Sequence, residues 1–419
     1  MKSIRLTIFC VCLAVTMLFA STGCQKAMAA GELSAGYVRN TETAASIDEG
    51  FAAETAEFAF RMLRETLNRE ADNQLISPLS AILCLALVAN GADGETLAEM
   101  EAVFGMDIDT LNESLYAYTA GLYNGENCKV NLANSIWFRD AEHLTVNEDF
   151  LQTNADWYGA QVYKAPFDTS TMHDVNNWVK EHTDGMIESI LDQPPSADAI
   201  MYLINTLVFD AKWQAKYENS DVRDRTFTNA DGSRVTVDMM YSDESVYLSG
   251  EGFSGLAKNY EGNAYSFVGL LPDDEKADVF AFAASLTGEK WLEMWNDRSY
   301  GSVNAGIPEF TYDDYIPLNE SLQAMGMETM FMEEDADFSR LGESKRGNIY
   351  CSSVEQKTFI DVSRNGTKAA AVTWATMADC ASAAPIEAHT VILDRPFVYA
   401  IVDNATGLPL FIGVISNLK

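Results

Sequence analysis

The residues of this chain that could do chemistry are few, and their spacing excludes most reactions. His143, His173, His182 and His389 are its four histidines, and none has a partner at a recognisable catalytic or metal-ligating spacing. There is no G-x-S-x-G elbow, no H-E-x-x-H, no P-loop and no G-x-G-x-x-G. Asp273-Asp274-Glu275 follows Leu270-Leu271-Pro272 and reads as a solvated turn rather than a metal site. Of the seven cysteines, Cys10 and Cys12 lie in the N-terminal apolar run, and Cys84, Cys128, Cys351 and Cys380 are scattered too widely for a disulfide framework or zinc spacing. Cys84, inside the apolar run Ala81 to Val88, reads as a buried thiol. A hydrolase would need a nucleophile, a base and an orienting group, and none can be named. No cofactor and no metal is expected.

What remains is Asn365-Gly366-Thr367-Lys368-Ala369-Ala370-Ala371-Val372-Thr373, about fifty residues from the C-terminus. It has almost no hydrophobic bulk, so it cannot anchor a core helix, yet its small residues and threonines tolerate a pleated strand. Strand-like Lys357 to Val362 precedes it. A loop-like run, Ala375 to Thr390, separates it from a second strand signal, Pro396 to Val402. A segment that can be loop or strand, hinged at a glycine beside a strand, marks a chain that switches conformation.

The rest of the chain must hold that segment. With 47% hydrophobic residues, including 21 Phe, 17 Tyr and 7 Trp, its 419 residues can bury a sizeable core. Sixty-two acidic against 28 basic residues give a formal charge of −34, which repels nucleic acid and anionic lipid. Lys2 and Arg5 followed by the apolar run Leu6 to Ala20 form a secretion signal, too short for a comfortable membrane span. Ser21-Thr22-Gly23-Cys24 reads as a lipoprotein box, with Cys24 lipidated, and is preferred to cleavage at Ala27-Met28-Ala29. Residues 1–23 are thus expected as signal, 24–47 as a flexible tether and 48–419 as one domain. Loss of the two cations in 1–23 would take the charge to −36. The location expected is extracellular or at the cell surface.

Within the domain, helical patterning covers Phe51 to Leu67, Pro78 to Ala89, Gly94 to Phe104 and Val175 to Ile190, the last ended by Pro194-Pro195. Strand signals follow at Met201 to Phe209, Val235 to Met240, Ala264 to Leu271 and Val303 to Phe310, and then come Leu318 to Met325 and a short Asp335 to Phe338. No repeat and no linker divides 48–419. Helices first and strands later indicate an α+β domain. Ser77, Ser80 and Asn205 are polar residues in or beside apolar segments, where capping and strand-end hydrogen bonds are the ordinary explanation.

From about residue 48 to the end the chain resembles the serpin family. The motifs run in the family's order: Asn73 to Ser80, Gly91-Ala92-Asp93-Gly94-Glu95-Thr96, Asn134-Ser135-Ile136-Trp137, Asn176-Asn177-Trp178-Val179, Asn205 through Phe209 to Trp213, Arg395-Pro396-Phe397, and Gly407 to Gly413. The resemblance implies the serpin fold: three β-sheets, about nine helices and an exposed reactive-centre loop. It places Ser77, Ser80 and Asn205 under the middle of the large sheet, where strands part, and Trp213 at the top, where insertion begins. Gln356 stands where the family commonly has a histidine in this cluster. Arg364 stands at a hinge position that usually carries Glu, which puts the usual salt bridge in question.

The function implied is suicide inhibition of a serine protease, by a monomer that contributes no catalytic group. The protease attacks the loop, and the cut loop, hinged at Gly366 and carrying Thr367, Ala369, Ala370 and Ala371, enters the sheet as a new strand. Counted from Gly366, Thr367, Ala369, Ala371, Thr373, Ala375 and Met377 share the core-facing side and are mostly small, while Lys368 falls on the other. The family's spacing puts the scissile bond at Cys380-Ala381, with Met377, Ala378 and Asp379 as fallbacks. The absence of Arg and Lys from Ala375 to Ala384 points to elastase- or subtilisin-like targets. The alternative is a non-inhibitory serpin-fold binding protein or adhesin of the cell envelope.

Overall fold

The structure is a computed structural model that describes residues 28–37, 46–367 and 388–419. Strand Gly31–Glu32 (β1) is followed by helix Phe51–Thr66 (α1), strand Asn73–Ile76 (β2) and helices Pro78–Ala89 (α2), Gly94–Phe104 (α3) and Ile108–Gly121 (α4). Then come Cys128–Arg139 (β3), Leu144–Val146 (β4), Glu148–Tyr158 (α5), Gln161–Ala165 (β5), Thr169–His182 (α6) and Met201–Lys212 (β6). Strands Val222–Thr228 (β7), Arg234–Gly250 (β8), Phe253–Asn259 (β9) and Tyr265–Pro272 (β10) lead to helices Val279–Ser285 (α7) and Gly288–Asn296 (α8). Ser299–Pro308 (β11), Phe310–Pro317 (β12), Asn319–Met325 (α9), Gly342–Ser344 (β13) and Glu355–Ser363 (β14) follow. Gly366–Thr367 (β15), Ala388–Ile392 (β16), Phe397–Asp403 (β17) and Pro409–Ile415 (β18) complete the described chain.

Local sequence explains the helix ends. Pro78 opens α2 in its first turn behind the cap Ser77, whose side chain accepts from Ser80 N. Asp93 caps α3, which ends at Gly105 in the left-handed region. Asp168 and Thr171 form a capping box that starts α6. The helix expected over Val175 to Ile190 is thus displaced: α6 begins at Thr169 and stops at His182. Asp184 and Gly185 take positive φ, and the chain after them is irregular. Proline was the wrong terminator to read.

The strands form three sheets. The first runs β1-β5-β3-β6-β15-β14-β12. The second runs β16-β11-β8-β9-β10-β17-β18-β2, with β7 on β8. The third is β13-β4. Nine α-helices among the described residues surround them, so the fold is α+β, with the three sheets and about nine helices that the resemblance implied. β10, β17 and β18 are buried along their whole length, as strands covered on both faces must be, and α1 and α2 pack over them. A second cluster, Trp137, Tyr163, Trp178, Val179 and Ile204, lies between α6 and the other face of the first sheet.

Several expectations need correction. Val303 to Phe310 is not one strand: Glu309 separates β11 from β12, which belong to different sheets. The ladder with β8 ends at Pro308↔Met239, with one further bond from Glu309 N to Asp238 O at 2.9 Å. Val235 to Met240 is only part of the 17-residue β8. Of the two segments given no type, Leu318 to Met325 holds helix α9, which starts at Asn319, and Asp335 to Phe338 is turn and irregular chain. His389 does not sit in a solvated loop; it lies in β16, its ring stacked on Tyr247 at 3.7 Å. Part of the expected tether is docked. Gly31 and Glu32 pair with Lys164 and Tyr163 at the edge of the first sheet, and Ala29 N and Ala30 N donate to Asp174 Oδ2 at 2.8 and 3.0 Å.

Candidate functional site

The first sheet is incomplete between β6 and β14. These two strands do not pair with each other; each pairs with β15, at Gly366↔Lys212 and Thr367↔Ala211 on one side and Ser363↔Gly366 and Val362↔Thr367 on the other. Below Thr367 the space between Asn205–Phe209 and Gln356–Ile360 is a cavity of about 90 Å³. Ser77, Ser80 and Cys84 line it from α2, and Val179, Thr183 and Ile187 from the α6 side. It is a slot between two strands, with the two residues of β15 wedged at its top.

The hinge fits only a glycine. Gly366 has φ 145°, and a Cβ there would overlap the Ala211 carbonyl. Thr367 is already inside the sheet, buried, its hydroxyl 2.6 Å from Tyr260 Oη. Thr367, on the core-facing side as its alternation from Gly366 implies, is thus already in the sheet. Trp213, fully buried, donates from Nε1 to Ser363 O at 2.8 Å and stacks on Tyr260 at 4.6 Å. One indole thus ties the end of β6 to the end of β14.

Arg364 forms a salt bridge at the hinge, with the cation where the family usually carries the acid. Arg364 Nε and Nη2 donate to Glu309 Oε1 and Oε2, both at 2.9 Å, and Arg364 N donates to Oε1 at 2.7 Å. Asp238 Oδ2 lies 3.4 Å from the same guanidinium. These hydrogen bonds hold the Glu309 carboxyl below the usual carboxylate range, more than burial raises it. With a cation at the hinge, the acids stand on the opposite side, on the chain between β11 and β12 and on β8. This fork is a planar, bidentate pair.

Under the middle of the slot the polar residues form one connected system. Ser77 Oγ donates to Leu410 O at 2.9 Å, and Gln356 exchanges two bonds with the Ser77 backbone, at 2.9 and 2.8 Å. Glutamine fills this place because it donates and accepts at once, with no titratable group. Ser80 Oγ donates to Asn205 Oδ1 at 2.5 Å, and Asn205 Nδ2 to Asn134 Oδ1 at 2.8 Å. Asn134 Nδ2 donates to Tyr158 O, Tyr158 Oη to Asn112 Oδ1 and Asn112 Nδ2 to Asn90 Oδ1. Asn90 Nδ2 then reaches Asn154 Oδ1. Asn90, Asn112 and Asn154 were not foreseen. The signal available was an asparagine on the apolar face of each of two helices and at the end of a third.

The slot has a cover. Asn176 on α6 brackets the chain after it, accepting from Ile190 N and Leu191 N and donating to Leu191 O. Lys357 Nζ, on β14, donates to Ser189 O at 3.1 Å. Opening the slot would have to break such bonds. Cys84 is half-buried, its thiol 3.6 Å from Leu203 O and pushed up to about 11 by burial, so it is unreactive. Among the described residues no group of histidines, cysteines and carboxylates could hold a metal ion. The arrangement leaves β6 and β14 apart below the two residues of β15.

Gly366, Thr367, Ser77, Ser80, Asn205, Trp213 and Gln356 are thus brought to one slot. Ala369, Ala370, Ala371, Met377, Ala378, Asp379, Cys380, Ala381 and Cys24 lie outside the described residues. A family model described as Serpin (serine protease inhibitor) matches residues 53–418. Human neuroserpin is 28% identical over 90% of this chain and 93% of its own. Mouse leukocyte elastase inhibitor A is also 28% identical, over 84% of this chain and 95% of its own. The thermophilic serpin tengpin in the native state superposes with a TM-score of 0.86 at 43% identity, covering 93% of this chain and all of tengpin; its latent state gives 0.80.

Proposed function

The chain belongs to the serpin family, and from that premise we propose that it is a suicide inhibitor of serine proteases that works by inserting its cleaved loop into the slot between β6 and β14. The observation that carries the reading is the wedge, because β15 is already the first two residues of the missing strand. Continuing the register Thr367↔Ala211 one for one would set Ala369 opposite Phe209, Ala371 opposite Leu207 and Thr373 opposite Asn205. Met377 would reach Met201, the first residue of β6. Residues directly opposite in an antiparallel pair share a face, so these small side chains would meet the core, as Thr367 does. Lys368 would fall opposite Asp210, on the other face.

The chemistry belongs to the protease. Its serine attacks the loop carbonyl and forms an acyl-enzyme, and insertion then carries the tethered enzyme away before water can release it. Fourteen inserted residues at about 3.3 Å each would move it roughly 45 Å. A scissile bond at Cys380-Ala381 suits the shallow pockets of elastase- or subtilisin-like enzymes. Residues 1–23 and lipidated Cys24 would export the protein and tether it outside the cell.

The test is incubation with a protease panel. An elastase- or subtilisin-like enzyme should give an SDS-stable complex, with mass spectrometry of the released peptide locating the bond. A complex with trypsin and none with elastase contradicts the assignment of target. Cleavage with no complex from any enzyme would instead support a non-inhibitory binding protein.

A further inference from the structure

Beside the top of the slot lies a charged group that the slot does not use. Lys258, on β9, has a side chain only 1% exposed, and its Nζ is 2.7 Å from Glu244 Oε1 on β8. The direct pairing of β8 with β9 stops at Val246↔Ala257, and this ion pair bridges the strands beyond it. Glu244 Oε1 also accepts from Ser242 Oγ at 2.7 Å, and Ser242 Oγ lies 3.2 Å from Tyr217 Oη. The ammonium stands 4.4 Å from the centre of the Tyr217 ring and 5.5 Å from that of Trp213. Those two rings pack edge to face, and they belong to the chain that leaves β6 for β7.

A buried ion pair is a poor source of stability, since an apolar side chain of the same size would pack there without desolvating two charges. What it provides is direction. A cation held by a carboxylate must sit at one place, and each ring is attracted to that place by its face. Trp213 in turn holds the hinge, through Nε1 to Ser363 O at 2.8 Å, through its N–H to Asn365 O at 3.3 Å, and through Tyr260 to Thr367.

We propose that Lys258 is a positioning residue for loop insertion: a buried cation that pins the Trp213–Tyr217 pair and so fixes the depth at which β15 rests in the slot. The assignment rests on the reading that residues after Thr367 enter that slot. Lys258 acts through Trp213, over whose ring its ammonium lies.

The experiment is hydrogen exchange of the full chain, read by mass spectrometry in peptides spanning the hinge. The variants are Lys258→Met, the double variant Lys258→Met/Glu244→Leu, and Trp213→Phe. The double variant removes both charges, so it stays informative where the single one is destabilised by an unpaired Glu244. The Gly366 and Thr367 amides should exchange about tenfold faster in the double variant and in Trp213→Phe, the size expected for a desolvated cation–π contact, while β17 and β18 keep their parent rates. Parent-like exchange at the hinge of the double variant, with Trp213→Phe fast, overturns the assignment. So does acceleration of β8, β9, β17 and β18 together with the hinge, which would make Lys258 a general packing residue. No protease is involved. Accelerated hinge exchange in a chain that traps no protease would therefore leave Lys258 in its role and remove the inhibitory reading instead.

Discussion

At the scale of single residues, the hinge is held by side chains whose roles differ in visibility. Ser77, Ser80 and Asn205 stood out as polar residues in apolar segments, and the structure joins them to the slot. Lys258 and Glu309 did not stand out, because a charged residue in or beside a strand reads as solvent-facing until the neighbouring elements are placed. Thr367 is already part of the sheet. It is buried and bonded to Tyr260, so Thr367→Arg should damage the uncut protein, by about 3 kcal/mol or more from an unpaired buried charge. Ala369→Arg is the cleaner probe of insertion. It should raise the ratio of cleaved protein to covalent complex with parent-like stability before cleavage, whereas Lys368→Glu, on the opposite face of the proposed strand, should change that ratio little. A parent-like ratio in Ala369→Arg would contradict the register. Glu309 gives a pH prediction. Its carboxyl is held below its ordinary value of 4.5 by Arg364, so its contribution is present above that value and is lost as the pH falls through the lower, folded one. Urea unfolding across this range should show that slope in the parent. Glu309→Gln should flatten it and cost about 1 kcal/mol near neutrality, as for a partly exposed ion pair.

At the scale of elements, local rules worked where the terminator was local and failed where tertiary structure decided. α2 and α3 run over the residues that their caps and apolar periods indicate. α6 does not, because Ile187 and Ile190 continue an apolar pattern that the chain uses to cover the slot without remaining helical. Docking of residues 29–36 could not be read from a small, polar composition. That segment adds backbone pairing to an otherwise open edge, and Asp174 supplies the acceptor for two of its N–H groups. Asp174→Ala should lower the unfolding free energy by about 1–3 kcal/mol, the loss expected for hydrogen bonds to a buried charged acceptor. Denaturant unfolding measures it, and a parent-like value would mean that the segment contributes nothing to the sheet. Unchanged hydrogen exchange at β5 would say the same.

At the scale of the whole molecule, the first sheet keeps β6 and β14 apart below β15, which under the proposed function is a sheet one strand short of completion. The family and its order of motifs were legible because they lie in contiguous runs such as Arg395-Pro396-Phe397. The slot was not, since its walls come from β6 and β14, more than 140 residues apart in sequence. Its polar floor connects α2, α4, α5, β3 and β6, so parting β6 from β14 touches most of the molecule's first half. The seven-stranded sheet as it stands leaves a cavity where a strand would form two ladders and bury its small side chains. Completion should therefore stabilise the whole domain, and that is the central claim. The most direct measurement is thermal melting before and after a single cut in the loop between residues 377 and 381. The account predicts a midpoint raised by tens of degrees in the cut protein, with the peptide from Gly366 to the cut becoming protected from hydrogen exchange. A cut protein that melts with the parent, its loop still exchanging freely, would contradict it.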